Sequence, residues 1–192
     1  MLRFDWVFKL AISEVQSRHE DLFDVAYFKF NRRLFAVCPG IRACLAKDDP
    51  NRASPVKLSD FEGRWVIKRH IFDLDSQWLG RFHGEATMTP SNMGLLYHEE
   101  GELQFGGLTA MKATRDYIWR EPEPGIFRVL FADGKHFHDF PSNEGRPKAT
   151  HYCDPDEYDV TYDFRKWPDW RAEWRVEGPR KDYRMVSIYS RP

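Results

Sequence analysis

"RWVIKRHIF", residues 64–72, decides how this chain is read. Trp65, Ile67, Arg69 and Ile71 share one side of an extended chain, the period of two that a β-strand imposes. The period recurs along the rest of the sequence. "GRFHGEATM" (80–88) groups Phe82, Gly84, Ala86 and Met88 against Arg81, His83, Glu85 and Thr87. "MKATRDYIWREPEPG" (111–125) aligns Ala113, Arg115, Tyr117 and Trp119, then breaks at a proline turn. "GIFRVLFADGK" (125–135) aligns Phe127, Val129 and Phe131 and turns at Asp133–Gly134. "EYDVTYDF" (157–164) aligns Tyr158, Val160, Tyr162 and Phe164, and "DWRAEWRVEGP" (169–179) sets Trp170, Ala172, Trp174 and Val176 against Arg171, Glu173 and Arg175. In "NMGLLYHEEGELQF" (92–105) the Glu100–Gly101 pair reads as a hairpin turn.

These segments predict eight to ten short strands, one apolar face each, with no helical stripe among them. An antiparallel meander of that length closes most simply into an up-and-down β-barrel, which removes its exposed edges. A two-sheet sandwich is the alternative. The barrel spans residues 58–192, enough chain to bury roughly two-thirds of its unfolded surface without staples.

Composition fits an all-β core: aromatics make up 16% of the chain, with 7 Trp, 8 Tyr and 15 Phe. A net charge of -1 provides no global field to recruit nucleic acid or an anionic membrane. No run of 18 or more apolar residues exists, so no membrane span is expected, and Asp5 and Lys9 interrupt the opening "MLRFDWVFKL" as a signal peptide would not allow. Cys38, Cys44 and Cys153 are odd in number and lack CxxC spacing, which argues against a disulfide framework and for a reducing, cytoplasmic setting. The linker-like "KDDPNRASPVKL" (47–58) separates the barrel from an N-terminal extension, residues 1–57, that carries ten Lys/Arg and seven Asp/Glu. There "DLFDVAYFKFNRRLFAV" (21–37) reads equally as a helix or as a strand at "VAYFKF", so the extension is expected to be helical or poorly ordered.

Seven stretches in one order carry a family likeness: "FEGRWVIKRHI", "GRFHGEATM", "LLYHEEGEL", "ATRDYIWR", "VLFADGKHFHDF", "HYCDPDEY" and "WRVEGPRKDYRMVSIYSR". Together, over residues 60–191, they resemble a family of uncharacterised bacterial and fungal proteins, a domain of unknown function with a lipocalin-like barrel. The resemblance implies the barrel and implies no activity. His138, His151 and Cys153 match its motif positions, and His136 stands where arginine is more typical.

Polar residues inside the apolar pattern are the candidates for function. Arg69 and Arg115 share faces with aromatics, as Glu99 does with Tyr97 and Leu95. A lone buried arginine costs several kcal/mol, so these residues either pair in an internal Arg–Glu–Tyr network or clamp an anion. The second option predicts a barrel that binds a small apolar or amphipathic ligand with an anionic group. Arg69, Arg115 and Tyr117 would hold its polar end, and Trp65, Phe82, Trp119, Phe131 and Trp174 would line the rest. Tyr97, Glu99, Tyr158 and Lys181 complete that candidate set, with Lys181 in "EGPRKDY" (177–183) at the mouth.

The alternatives centre on histidine. His136 and His138, and His151 and Cys153, share faces if strand-like, and four such donors could hold zinc. His138, His151 and Cys153 could instead form a catalytic site at the barrel mouth, and His138 or His151 could ligate haem. Against these stands the plain reading, in which His138 and His151 satisfy backbone groups, Cys153 packs as a small hydrophobe and Asp154–Pro155–Asp156 makes a turn. No serine elbow, phosphate loop or HExxH motif is present, so no cofactor is specified, and nothing fixes an oligomeric state.

Overall fold

A computed structural model describes residues 56–192 of the chain. A short 3-10 turn, η1 (Leu58–Phe61), leads into ten strands. They are β1 (Gly63–Asp73), β2 (Trp78–Ser91), β3 (Gly94–Phe105), β4 (Met111–Glu123), β5 (Ile126–Phe131), β6 (His136–Pro141), β7 (Lys148–Cys153), β8 (Asp156–Asp163), β9 (Trp170–Gly178) and β10 (Lys181–Ser190). All belong to one antiparallel sheet in the order β6-β5-β4-β3-β2-β1-β10-β9-β8-β7. The sheet curls into a nearly closed barrel. β1 and β10 zip together from Val66↔Ser190 to Asp73↔Tyr183, and the one seam without a ladder lies between β6 and β7. The sandwich alternative is thereby excluded. The expected extension falls outside the described residues except for Val56, which packs into the core, and Lys57.

Alternation delivers the core. Trp65, Ile67 and Ile71 of β1 have no exposure, and Phe82, Ala86 and Met88 of β2 and Val160 and Tyr162 of β8 are nearly as buried. The lower end is plugged. Phe61 turns inward from η1 and meets Trp119, Phe127, Phe164, Trp167 and Trp170 at ring centroid distances of 4.9–6.0 Å. Two ties hold the plug in place. The Trp65 indole donates to the Phe61 carbonyl at 2.7 Å, and Arg191 donates to the carbonyls of Asp60 and Glu62, each at 2.8 Å, while its guanidinium lies over Trp65.

Two expectations are corrected here. Glu100–Gly101 is not a turn: both residues lie within β3, and the chain reverses at 92–93, between Ser91 and Gly94. Gly101 instead pairs with Gly84 of β2, where a Cβ added to either glycine would sit within 2.6–2.7 Å of the other's Cα. The glycines permit a close approach of the two strands with the Phe82 ring tip packed against Gly101. His136 and His138, in turn, do not share a face. The β5–β6 register shifts between Val129 and Leu130, so Val129 pairs with His138 and Leu130 with His136. Phe137 is the extra residue of a bulge, and Phe137 and His138 are both buried while His136 stays outside.

Candidate functional site

Above the plug the lumen carries a charged layer. Arg69 of β1 donates through both terminal nitrogens to the two carboxylate oxygens of Glu99 on β3, each at 2.8 Å, and through Nε to Ser187 Oγ at 2.7 Å. Tyr97 donates to the same carboxylate, and its hydroxyl lies 3.2 Å from that of Tyr189. Burial alone would raise the Glu99 pKa, but the Arg69 guanidinium, with Arg115 and the Tyr97 hydroxyl, holds it down to about 2. Burial also opposes the Arg69 charge, and Glu99 outweighs it, raising the arginine well above its usual value. The predicted internal Arg–Glu–Tyr network is therefore present, with Ser187 as a further acceptor for Arg69.

Beside this layer, His138 is 2% exposed. Its Nε2 lies 2.9 Å from the Tyr162 hydroxyl, and its Nδ1 has no hydrogen-bond partner among the described residues. Burial, then the neighbouring His151 and His136, push its pKa down to about 3, so the ring is neutral at physiological pH. His138 lines a void of about 30 Å³ together with Arg69, Glu99, Trp119, Trp170 and Trp174.

An aromatic-walled cavity lies higher, at the end of the barrel that carries the β5–β6, β7–β8 and β9–β10 turns, and measures about 130 Å³; a larger space of about 430 Å³ lies against β1 and β2, lined mainly by polar and charged residues such as Lys68, His70, Arg81, His83 and Glu102. Tyr117, Phe131, Phe137, Trp174, Tyr183 and Met185 supply the apolar wall of the 130 Å³ cavity. Arg115 enters from β4, Lys181 from the start of β10, Tyr158 from β8, and His151 and Cys153 from β7. Both charged side chains in this lining are cations. Lys181 donates to Tyr158 at 2.5 Å and pairs with Asp156 behind it at 2.6 Å. Burial works against the Lys181 charge, but Asp156 and Tyr158 outweigh it and the lysine pKa is raised. Arg115 lies 5.7 Å from the Tyr117 ring centroid. Burial lowers the His151 pKa, while the Phe137 backbone acts the other way by hydrogen bonding to the ring.

The structure thus divides the predicted set. Arg115, Tyr117, Phe131, His151, Cys153, Tyr158, Trp174 and Lys181 converge on one cavity. Arg69, Tyr97, Glu99 and Trp119 lie beneath it in the closed layer and the core, with Trp65 and Phe82. The zinc set is dispersed: His136 pairs outside with Asp139 at 3.0 Å, His138 is sealed inside, and no group of three or more metal-ligating side chains assembles among the described residues. Of the two candidate haem ligands, His151 lines the cavity, which lies below the roughly 300 Å³ of sites for drug-sized ligands, whereas His138 is packed behind the Phe137 ring. Phe137, Tyr183 and Met185 were not anticipated. The last two follow from simple alternation along "DYRMVSIYSR", whereas Phe137 depends on the bulge.

A family model described as a family of unknown function (DUF6314) matches residues 61–191. No curated protein matches. Among solved structures, an S-type phycobiliprotein lyase, CPES, from Guillardia theta superposes with a TM-score of 0.53 at 10% identity, over 70% of this chain and 90% of that one. A protein of unknown function from the DUF3598 family of Nostoc punctiforme gives 0.48 at 9% identity, over 76% of this chain and 52% of that one. At such identities the likeness is one of fold.

Proposed function

From a chain that belongs to the DUF6314 family, whose function is unknown, we propose a reading built on the cavity itself: the protein binds a small organic anion with a single apolar ring or short acyl chain. The observation that carries this reading is a pocket walled by aromatics whose charged lining residues, Arg115 and Lys181, are both cations. A desolvated cation in an apolar wall selects an anion, and arginine's planar fork suits a carboxylate. Size sets the rest. A cavity of about 130 Å³ is close to one that accepts benzene, roughly 150 Å³, so one ring or about six carbons fills it. The ligand is therefore smaller than a fatty acid or pigment, unless most of it stays outside. The three cysteines without disulfide spacing favour the reducing cytoplasm as the setting. Among the described residues no helix is long and apolar enough to cross a membrane.

Benzoate and hexanoate titrated into the full-length protein and followed by tryptophan fluorescence test the proposal. The expected Kd is on the order of 0.1–1 mM, because so few atoms limit affinity. Arg115→Met should weaken binding about tenfold or more, the size of a lost charge-assisted hydrogen bond. Alkylation of Cys153, which is exposed and at the cavity rim, should slow on saturation. If neither acid binds at 10-fold the upper end of that Kd range, the reading fails.

A further inference from the structure

Three parallel rings cross the lumen where the two cavities meet. Phe137 stacks on Tyr117 at 5.4 Å and 12°, and on Trp174 at 5.4 Å and 5°. The 130 Å³ cavity and the 30 Å³ void share Arg115, Tyr117, Phe137 and Trp174 as walls, so the stack is the partition between them. Its outer rings come from β4 and β9, which are laddered on both sides. The middle ring comes from the bulge of β6, at the sheet's open edge. Beyond it lies the buried Nδ1 of His138, which no group among the described residues satisfies.

We propose that Phe137 is a displaceable ring, and that the complete ligand is a flat fused-ring carboxylate with a hydroxyl or carbonyl at its far end. That ligand takes the place of Phe137 between Tyr117 and Trp174 and hydrogen bonds to Nδ1 of His138. The inference rests on the anion reading above and revises its size: one ring fills the cavity while Phe137 is in place, and withdrawal of Phe137 admits a second, fused ring and a second polar group. Stacking supports the shape: the faces of Tyr117 and Trp174 now pack on a ring, and a planar ligand reproduces both contacts. Edge position supports the movement. Phe137 sits in a bulge beside an unladdered seam, so its withdrawal breaks no ladder on the β7 side and disturbs there only the hydrogen bond between its backbone and the His151 ring. The orphan nitrogen supports the second polar group. A neutral imidazole whose Nε2 engages Tyr162 presents either a donor or an acceptor at Nδ1, and the hydroxyl of Tyr162 accommodates both tautomers. A charged far end is disfavoured, because His138 resists protonation so deep in the core. The carboxylate stays above with Arg115 and Lys181.

The test compares benzoate, 2-naphthoate and 6-hydroxy-2-naphthoate on the full-length protein by tryptophan fluorescence and calorimetry. Both naphthoates should bind more tightly than benzoate, and the hydroxyl should add about tenfold, as a hydrogen bond to an otherwise unsatisfied buried group does. His138→Phe should erase the hydroxyl's advantage. Phe137→Ala, with Phe137→Leu as a milder second variant, should tighten binding of the naphthoates because the ring no longer has to leave. Binding of benzoate with exclusion of both naphthoates would overturn the displaceable ring and leave the anion site standing. Naphthoate binding with no preference for the hydroxyl would overturn the role of His138 and mark the void as space for a water alone. Failure of all three acids overturns this inference and the anion site together.

Discussion

Glu99 accepts two hydrogen bonds from Arg69 and one from Tyr97 inside a layer that water does not reach. The pair matters less for what it adds than for what its loss leaves behind. Replacing a buried pair by apolar residues is often neutral, whereas removing one partner strands the other charge. Glu99→Gln should therefore lower unfolding stability by about 3–5 kcal/mol in a urea titration. Replacing Glu99 and Arg69 together, by Leu and Met, should recover most of that loss. If the double variant is as unstable as the single one, the layer is not the isolated pair its geometry describes. At this scale alternation alone was informative: it placed Arg69 and Glu99 inside, and Arg115, Tyr117, Tyr158 and Trp174 around one lumen. It could not say which arginine would be consumed by a carboxylate. Strand register decides that, and the Arg69–Glu99 match spans β1 to β3 across an intervening strand.

Strands β2 and β3 meet backbone to backbone at the Gly84–Gly101 contact, where neither chain has room for a side chain. A methyl at Gly101 would press on the Gly84 Cα at 2.6 Å and on the Phe82 ring tip at 2.8 Å. Gly101→Ala should cost about 1–3 kcal/mol, the usual penalty of overpacking. Gly107→Ala, in a turn with nothing within 4 Å, should change stability by less than about 0.5 kcal/mol. Equal effects in a thermal-melt comparison would remove the close approach as the reason for both glycines. The misread turn has the same origin. A Glu–Gly step between apolar runs signals a hairpin locally, and only the partner glycine on β2 shows that it relieves a collision instead. The bulge in β6 escapes sequence reading for a related reason. In "HFHDF" a strict period of two would put Phe137 and Phe140 on opposite faces, but which residue is doubled is settled only when β5 is laid beside it, and the inward step falls at Phe137 and His138. Elements and faces were thus legible where one strand sufficed, and illegible where two strands had to be matched.

The barrel as a whole holds several groups away from their ordinary titration, His138 and Glu99 most deeply buried among the depressed ones, with His151 lowered in the same direction as His138. His138 titrates near 3 when folded against an ordinary 6.5, and Glu99 near 2 against 4.5. Both folded values are depressed, so each contribution is complete above the ordinary value and fades as pH falls toward the folded one. Stability should decline from about pH 6.5 downward, by roughly 1.4 kcal/mol per pH unit for His138, and more steeply below about 4.5 as Glu99 joins. Urea midpoints between pH 4.5 and 6.5 measure the first phase, and His138→Phe should flatten it. An unchanged slope in that variant would assign the phase to other groups. The seam between β6 and β7 has a separate consequence for how the molecule is assembled. Every ladder but one joins consecutive strands, within a six-stranded meander, β1–β6, and a four-stranded one, β7–β10. The exception, β1 with β10, binds the two halves, so closure of the wall waits on the most distant partners in the sequence. A chain of residues 56–192 cut at 142–147 and rejoined from 192 to 56 would turn that last and slowest pairing into a hairpin with a short connection. Its new termini would fall where the wall is already open, and such a circular permutant should close faster than the parent.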